Sequence, residues 1–242
     1  PTSSIGNGLG SRCSDLLMSR YETLLYSSGD QTYGTIANGD PTFDPSRDIQ
    51  LLTNFIAQET TNVFLTGDDL ASDLAQSGGL TNTFLQEYMN VTRTSNTLRP
   101  LISNQTAPLV LPEAGNSVFF TTPSWIAYGG CNGINTFDAV DAGPGAERLA
   151  RFTNPAGVAS YTYSAATLNM PGDDKIISMP YDFMYLYTDI NNPVAGGVAT
   201  RVNVLGEILD FFGVTSPAWN PTGLPSAEKF LATNYPNPFN PT

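Results

Sequence analysis

The chain has 242 residues, of which 40% are hydrophobic and 13% are charged, which is enough for one large domain or two small ones with a self-sufficient core. Ten basic and 22 acidic residues give a net charge of −12, and this charge opposes binding to nucleic acids and to anionic lipids. The sequence has no histidine, which excludes Ser-His-Asp and Cys-His catalysis and nearly every catalytic zinc or iron site.

Residues 1–20 are polar and rich in glycine and serine, and we expect them to form an N-terminal extension. The chain begins at Pro1 without a methionine, which indicates a processed product or a part of something longer. No stretch of the sequence approaches the roughly 20 apolar residues that span a bilayer, so we expect no transmembrane segment.

The segment from residue 22 to residue 89 alternates predicted strands and helices. Residues 22–27 and 62–66 are short apolar runs ended by Gly29 and Gly67, which is typical of buried strands. Between them, Pro45 and apolar residues at helical spacing predict a helix over about 45–58. Further helices are predicted from Asp68 onwards and over residues 81–89. A helix that separates two buried strands is typical of a parallel sheet.

The second half of the chain is less regular. Apolar runs between residues 91 and 145 are interrupted by proline and glycine, which predicts short strands and long loops. Clearer strands are predicted over 148–152, 160–164 and 175–180, and a helix is predicted over 200–212. Residues 214–242 are proline-rich and predict an extended linker. The predicted fold is α/β, a mainly parallel sheet flanked by helices with an irregular, β-rich second half.

Four stretches resemble a known family. They are YETLLYSSGD (21–30), NVFLTGDDLASDL (62–74), GAERLARF (145–152) and KIISMPYDF (175–183), followed by a final helix. Together they look like a divergent class I glutamine-amidotransferase-like domain, related to flavodoxin-like folds and found in large secreted bacterial proteins. The resemblance covers about residues 21–213. Relatives begin with a further strand and helix, which the 20 polar residues at the start of this chain cannot supply.

A second resemblance concerns the last nine residues. The peptide NYPNPFNPT (234–242) is similar to the opening of the C-terminal sorting domain that directs bacterial proteins through type IX secretion. This similarity implies a secreted or cell-surface protein, and an ordinary proline-rich linker is the alternative. An extracytoplasmic location also suits the low-lysine, acidic composition.

The two cysteines, Cys13 and Cys131, can form a disulfide in such an oxidising compartment. The bridge would close a loop of roughly 118 residues and add about 4–5 kcal/mol of stability on the chain-entropy model. Two separate buried thiols are the alternative interpretation. Catalysis by Cys131, which lies in the glycine-rich run 129–133, is disfavoured because no histidine exists to lower its pKa and pairing with Cys13 is the simpler account.

In active amidotransferases a cysteine occupies a tight strand-to-helix turn and is activated by histidine and glutamate. The resemblance places Thr66, Gly67 and Asp68 at this turn, with Asp68 near the position of the thiol. Because no histidine is present to activate a nucleophile, we expect a degenerate elbow without catalytic function. The bland interpretation is that Gly67 allows the turn and that Asp68 and Asp69 favour the start of the following helix.

Carboxylates and aromatic residues offer further sites. Asp68 and Asp69 are the first choice among several acidic groups for Ca²⁺, which prefers oxygen ligands, and no organic cofactor is expected. Carboxylates can also serve a hydrolase, for which a cleft lined by Asp68 and Asp69 with raised pKa values would be the sign. An alternating run of four aromatic residues predicts an exposed strip for glycans or a neighbouring subunit: Tyr181, Phe183, Tyr185 and Tyr187.

These features favour a non-catalytic, secreted or cell-surface protein that acts in extracellular assembly or binding. It would be a structural subunit or an accessory module of a larger precursor. The expected partners are further copies of itself, other surface proteins or glycans. The alternatives are a secreted carboxylate-dependent hydrolase, a domain associated with a peptidase or glycosidase, and a carbohydrate-binding module.

Overall fold

The computed structural model describes residues 9, 13–36, 47–77, 79–128, 137–154, 160–188 and 193–214. Except for Val214, the predicted linker lies outside the described residues, as do residues 1–8 and 10–12 of the predicted extension. Among the helices that are described, none has the length and apolarity that crossing a membrane requires.

The described elements are short except for the last helix. The strands are β1 (Thr23–Gly29), β2 (Asn62–Gly67), β3 (Val91–Ser95), β4 (Leu109–Pro112), β5 (Trp125–Ala127), β6 (Ala139–Ala142), β7 (Glu147–Thr153), β8 (Ser160–Asn169), β9 (Lys175–Met179) and β10 (Leu186–Tyr187). The α-helices are α1 (Asp15–Met18), α2 (Asp48–Ile56), α3 (Leu70–Ser77), α4 (Gly79–Thr83) and α5 (Pro193–Phe211). A π-helical segment (Phe84–Met89) and two 3-10 turns (Arg99–Ile102 and Phe183–Tyr185) complete the set.

The strands form one mixed sheet and one short ladder in the described part of the chain. The sheet has eight strands in the order β1-β2-β9-β8-β7-β4-β5-β10, and β3 pairs with β6 in the ladder. The pairs β1–β2 and β2–β9 are parallel, and the other pairs of the sheet are antiparallel. The prediction of a mainly parallel, flavodoxin-like sheet is therefore wrong. The molecule is a mixed α/β structure in which antiparallel strands dominate.

The lengths of the connections explain this difference. β1 and β2 are joined by residues 30–61, which include α2 and are long enough for the crossover that parallel strands require. β8 and β9 are joined only by residues 170–174. Because a crossover needs about a dozen residues, the chain turns back here and the strands run antiparallel. Pro171 and Gly172 lie in this turn, and Gly172 has a φ of 73°.

β2 is an inner strand of the sheet, and other elements pack against both of its faces. All of its residues are buried. Val63 and Leu65 pack on the same side as α2, whereas Phe64 packs with Val204 and Ile208 of α5 on the other side. The turn that follows β2 is therefore attached to a fully buried strand. β1, by contrast, forms the edge of the sheet, and none of its residues is fully buried.

Candidate functional site

The carboxyl ends of the parallel strands β1, β2 and β9 meet at one edge of the sheet, where α/β proteins commonly bind ligands. β1 and β2 approach each other closely here. A Cβ atom at Gly67 would lie 1.8 Å from Ser28 Oγ, so the end of β2 accepts no side chain unless Ser28 moves. This close approach is the structural reason for glycine at the predicted elbow.

Asp68 ties the ends of several strands together. Its backbone N–H donates to the Gly29 carbonyl at 3.0 Å, and its own carbonyl accepts from the Asp138 N–H at 3.0 Å. Its carboxyl oxygen Oδ1 accepts from the Asp182 N–H at 2.8 Å. Burial raises the pKa of Asp68 to about 8, the hydrogen bond from Asp182 opposes the rise, and the charges of Asp182 and Asp69 add to it.

The side chain of Thr66 also makes a structural contact. Its side chain is buried, and its hydroxyl donates to the carbonyl oxygen of Tyr181 at 2.5 Å. This hydrogen bond connects β2 to the segment after β9. The hydroxyl and carboxyl groups of the predicted degenerate elbow, on Thr66 and Asp68, therefore both serve contacts between neighbouring strand ends.

A buried cluster at the start of α3 lies beside this turn. Asp138 is fully buried and accepts a hydrogen bond from the Ser72 N–H at 2.9 Å and another from the Ser72 hydroxyl. Arg93 of β3 donates from Nε to Ser72 Oγ at 2.7 Å. Burial raises the pKa of Asp138 to about 7, although the hydrogen bonds from Ser72 oppose the rise and the charge of Asp69 supports it.

Asp69 has different surroundings from Asp68. Its side chain is 7% exposed and lines a cleft of about 240 Å³. No described residue donates a hydrogen bond to its carboxyl group. Burial raises the pKa of Asp69 to about 6, the neighbouring Asp73 adds to the rise, and Arg93 opposes it. Asp69 therefore combines burial and a raised pKa with a carboxyl group that faces the cleft.

The walls of this cleft come from three parts of the chain. Thr32 and Tyr33 follow β1, Ser72 and Gln76 belong to α3, and the segment after β3 contributes Asn96 and Thr97. Asp73 holds the first wall in place, because its Oδ2 accepts from both the N–H and the hydroxyl of Thr35, each at 2.8 Å.

The predicted calcium pair is divided between two environments. The Asp68 carboxyl accepts a hydrogen bond from Asp182 in the segment after β9, whereas the Asp69 carboxyl lines the cleft. Among the described residues, no group of three or more cysteine or acidic side chains is placed to hold a metal ion. Asp174, another acidic candidate, accepts from the Thr61 N–H at 2.7 Å and thereby serves the fold.

The predicted aromatic strip is not formed. Tyr181 is completely buried, and its hydroxyl accepts from Trp125 Nε1 at 2.9 Å. Phe183 and Tyr185 lie in a 3-10 turn instead of an extended strand, so alternate residues do not share one face. The Cys13–Cys131 bridge stays a prediction, because Cys131 lies outside the described residues.

Sequence reasoning located the turn after β2 but missed the residues that surround it. Ser72 and Arg93 had no place in any predicted site, and Asp138, 66 positions from Ser72, was considered only with Asp141 as a separate acidic group for calcium. No local pattern connects such distant residues. Asn96 and Thr97 were missed for the same reason, since the segment before residue 145 has no clear periodicity.

Comparison with known proteins adds information about the fold. No protein-family model matches the sequence, and no curated protein matches it significantly. The cytoplasmic protein STM1381 from Salmonella typhimurium LT2 is similar in structure, with a TM-score of 0.50, 14% identity, and coverage of 80% of this chain and 74% of that one. At this identity the likeness shows the fold alone.

Two further structures are more distant. The cytoplasmic protein STM3548 from Salmonella typhimurium has a TM-score of 0.49 and 12% identity over 82% of this chain and 74% of its own. A beta-galactosidase from Rahnella sp. R3 has a TM-score of 0.47 and 11% identity, and the match covers 78% of this chain and 22% of the enzyme.

Proposed function

We propose that this chain is a non-catalytic protein of the cell surface or extracellular space that acts by assembly and binding. The observation that carries this proposal is the turn after β2. Thr66 donates its hydroxyl to a buried carbonyl, and Asp68 accepts a backbone hydrogen bond with its carboxyl group. A nucleophile needs a group that is free to attack and a base that activates it. At this turn both groups serve structural contacts instead.

The extracellular location is supported by the sequence. Residues 234–242 resemble the opening of a type IX sorting domain, and residues 21–213 resemble amidotransferase-like domains of secreted proteins. The acidic composition and the net charge of −12 also suit a protein that stays soluble outside the cell. These features support a structural subunit or accessory module of a larger secreted precursor.

The assembly part of the proposal is supported by the edge of the sheet at β1. In the described part of the chain β1 pairs with β2 alone, and edge strands are templates for pairing with another chain. Leu25 of β1 is 48% exposed, and nearby Tyr21 is 60% exposed. Beside them lies an apolar pocket of about 120 Å³ to which Phe64, Phe183 and Leu25 contribute. A second copy of the chain that pairs with β1 would cover this apolar surface.

The first experiment measures the mass of the purified chain by light scattering over a range of concentrations. We expect species larger than the 25.9 kDa of a single chain, and we expect Leu25→Lys to reduce them because it places a charge on the edge strand. Met170→Lys is the matched control, since Met170 is 54% exposed in the connection between β8 and β9. A monomer at every concentration, or equal effects of the two variants, would refute assembly through β1.

A second candidate is a carboxylate-dependent hydrolase, and the raised pKa of Asp69, about 6, favours it because a general acid works best with a pKa near the working pH. The test is release of product from chromogenic glycosides and esters by the full chain. Turnover that Asp69→Asn abolishes and Asp210→Asn preserves would establish the hydrolase and overturn the non-catalytic proposal. Asp210 is an exposed residue of α5 and provides the control.

A further inference from the structure

We propose that the cleft beside Asp69 binds a neutral saccharide, at the size of a single sugar ring. This inference rests on the binding part of the proposed function and is independent of assembly through β1. The cleft measures about 240 Å³, which is below the roughly 300–1,000 Å³ of pockets for drug-sized ligands. It opens at the carboxyl ends of β1 and β2, close to the turn that contains Asp69.

Asp69 supplies the strongest polar group in this cleft. It is more than nine-tenths buried, and its carboxyl receives no hydrogen bond from any residue that the structure describes, although other buried carboxyls nearby do. Because the carboxyl group lines the cleft, it can accept hydrogen bonds from a ligand there. Two adjacent hydroxyl groups of a ligand would satisfy both carboxyl oxygens at once, and sugar rings carry such pairs of hydroxyls.

The other lining groups are neutral and can both donate and accept hydrogen bonds. Thr32 and Thr97 supply hydroxyls, and Gln76 and Asn96 supply amides. A hydroxyl on a ligand has the same dual character, so each of these groups can pair with it in either direction. This lining suits a neutral ligand that carries several hydroxyl groups better than it suits a charged ligand.

Tyr33 adds a surface for the apolar face of a ring. Its side chain is 67% exposed at the cleft, and its position is supported by Gln31, which donates from Nε2 to the Tyr33 carbonyl at 2.6 Å. An aromatic ring with one apolar face and a polar end suits a molecule whose C–H groups form one side and whose hydroxyls form the other.

The charges around the cleft disfavour charged ligands. An anion would be repelled by Asp69 and by the net charge of −12. A divalent cation needs about six oxygen ligands, and within the described residues no group of three cysteine or acidic side chains is placed to hold one. Arg93 also acts on Asp69 and opposes a second positive charge. A neutral, hydroxyl-rich ligand remains.

The experiment is saturation-transfer NMR and calorimetry on the full chain, with methyl glycosides of glucose, galactose, mannose and N-acetylglucosamine as probes. We expect binding of at least one of them at millimolar concentration. Asp69→Asn keeps the size of the side chain and should weaken this binding by about tenfold or more, because it removes charge-assisted hydrogen bonds. Tyr33→Ala should weaken it as well.

Asp210→Asn and Met170→Lys are the controls, and both should bind like the original chain. If none of the probes binds, or if Asp69→Asn and Tyr33→Ala bind as tightly as the controls, the saccharide site is refuted. The same samples are measured by light scattering and assayed for sugar release. Loss of assembly with intact binding, or release of product, would then count against the proposed function and not against the cleft as a sugar site.

Discussion

Asp68, Asp69 and Asp138 lie within one small region and differ in what their carboxyl groups contact. Asp68 accepts a backbone hydrogen bond from Asp182 in the segment after β9, Asp138 accepts two hydrogen bonds from Ser72, and Asp69 lines the cleft. Burial raises the pKa of all three. The raised pKa that marks a functional residue therefore also occurs here in residues that hold strands together, and the open side of Asp69 is what distinguishes it.

Asp68→Asn tests the structural role of the first of these carboxyls. The neutral amide can still accept from the Asp182 N–H but cannot be ionised. Because the pKa of Asp68 is about 8 in the folded protein against 3.8 as a reference value, ionisation destabilises the folded state as the pH rises between these values. At about pH 9 we expect the free energy of unfolding of the variant to exceed that of the original chain by at least about 1 kcal/mol.

The measurement is urea unfolding of both proteins at about pH 5 and about pH 9. Asp210→Asn, at an exposed position of α5, is the control and should change the pH dependence little. A variant that loses stability equally at both pH values would contradict the explanation, since the effect of the substitution would then not depend on the ionisation of Asp68.

At the scale of elements, the molecule depends on the contact between the ends of β1 and β2. Ser28 Oγ is buried and accepts or donates no hydrogen bond with a described residue, and it lies where a Cβ atom of residue 67 would be. The two strand ends can pack this closely because residue 67 has no side chain. A methyl group there would push against β1 at the point where Asp68 joins the strands.

Gly67→Ala is expected to destabilise the chain by about 1–3 kcal/mol, as overpacking typically does. Ser28→Ala removes the nearest atom, so the double variant should recover part of the loss. Thermal or urea unfolding of the four proteins forms a double-mutant cycle that measures this coupling. Additive losses would show that residue 67 and Ser28 do not interact, and a Gly67→Ala variant as stable as the original chain would show that the strand ends are not tightly packed.

The elements that the sequence could predict are those with a local pattern. Residues 22–89 show apolar periods and capping residues, and β1, α2 and β2 follow them closely. The direction of a strand is not a local property, because it depends on the length of the link to its partner. The predicted strand before β9 ended at residue 164 and left ten residues before Lys175, whereas β8 runs to Asn169 and leaves only five, including Pro171 and Gly172.

For the candidate site too, the sequence predicted the local turn but not the residues that come from distant parts of the chain. The turn at Gly67 follows directly from a buried run that ends in glycine and two aspartates. The residues around these aspartates come from β3, from the position before β6 and from the segment after β9, and only the three-dimensional fold brings them there. The cleft could not be predicted either, since its walls belong to three segments that are separate in sequence.

At the scale of the whole molecule, stability should depend on pH through several carboxyls together. Asp68, Asp69 and Asp138 have raised pKa values, so their contributions decline as the pH rises from about 4 to about 8. Glu207 acts in the opposite direction. Its burial opposes ionisation, but hydrogen bonds from Thr122, Thr121 and Phe120 outweigh this and lower its pKa, so its contribution is lost in acid.

We therefore expect the melting temperature to be higher at about pH 5 than at about pH 8.5, with a fall again in strong acid. Self-repulsion of a chain with a net charge of −12 acts in the same direction above neutral pH. Scanning calorimetry over this range at two salt concentrations is the measurement. Salt should reduce the part that comes from surface repulsion. A melting temperature that rises steadily up to pH 8.5 would contradict the assignment of the buried carboxyls.

β9 is shared by the two kinds of pairing in the sheet, because it runs parallel to β2 on one side and antiparallel to β8 on the other. The backbone of β2 thus finds its second partner only in residues 175–179, and the Thr61 N–H that precedes β2 binds Asp174, 113 positions later in the chain. Such late contacts make folding slow. During synthesis the second edge of β2 therefore stays without its partner strand until more than a hundred further residues have been made.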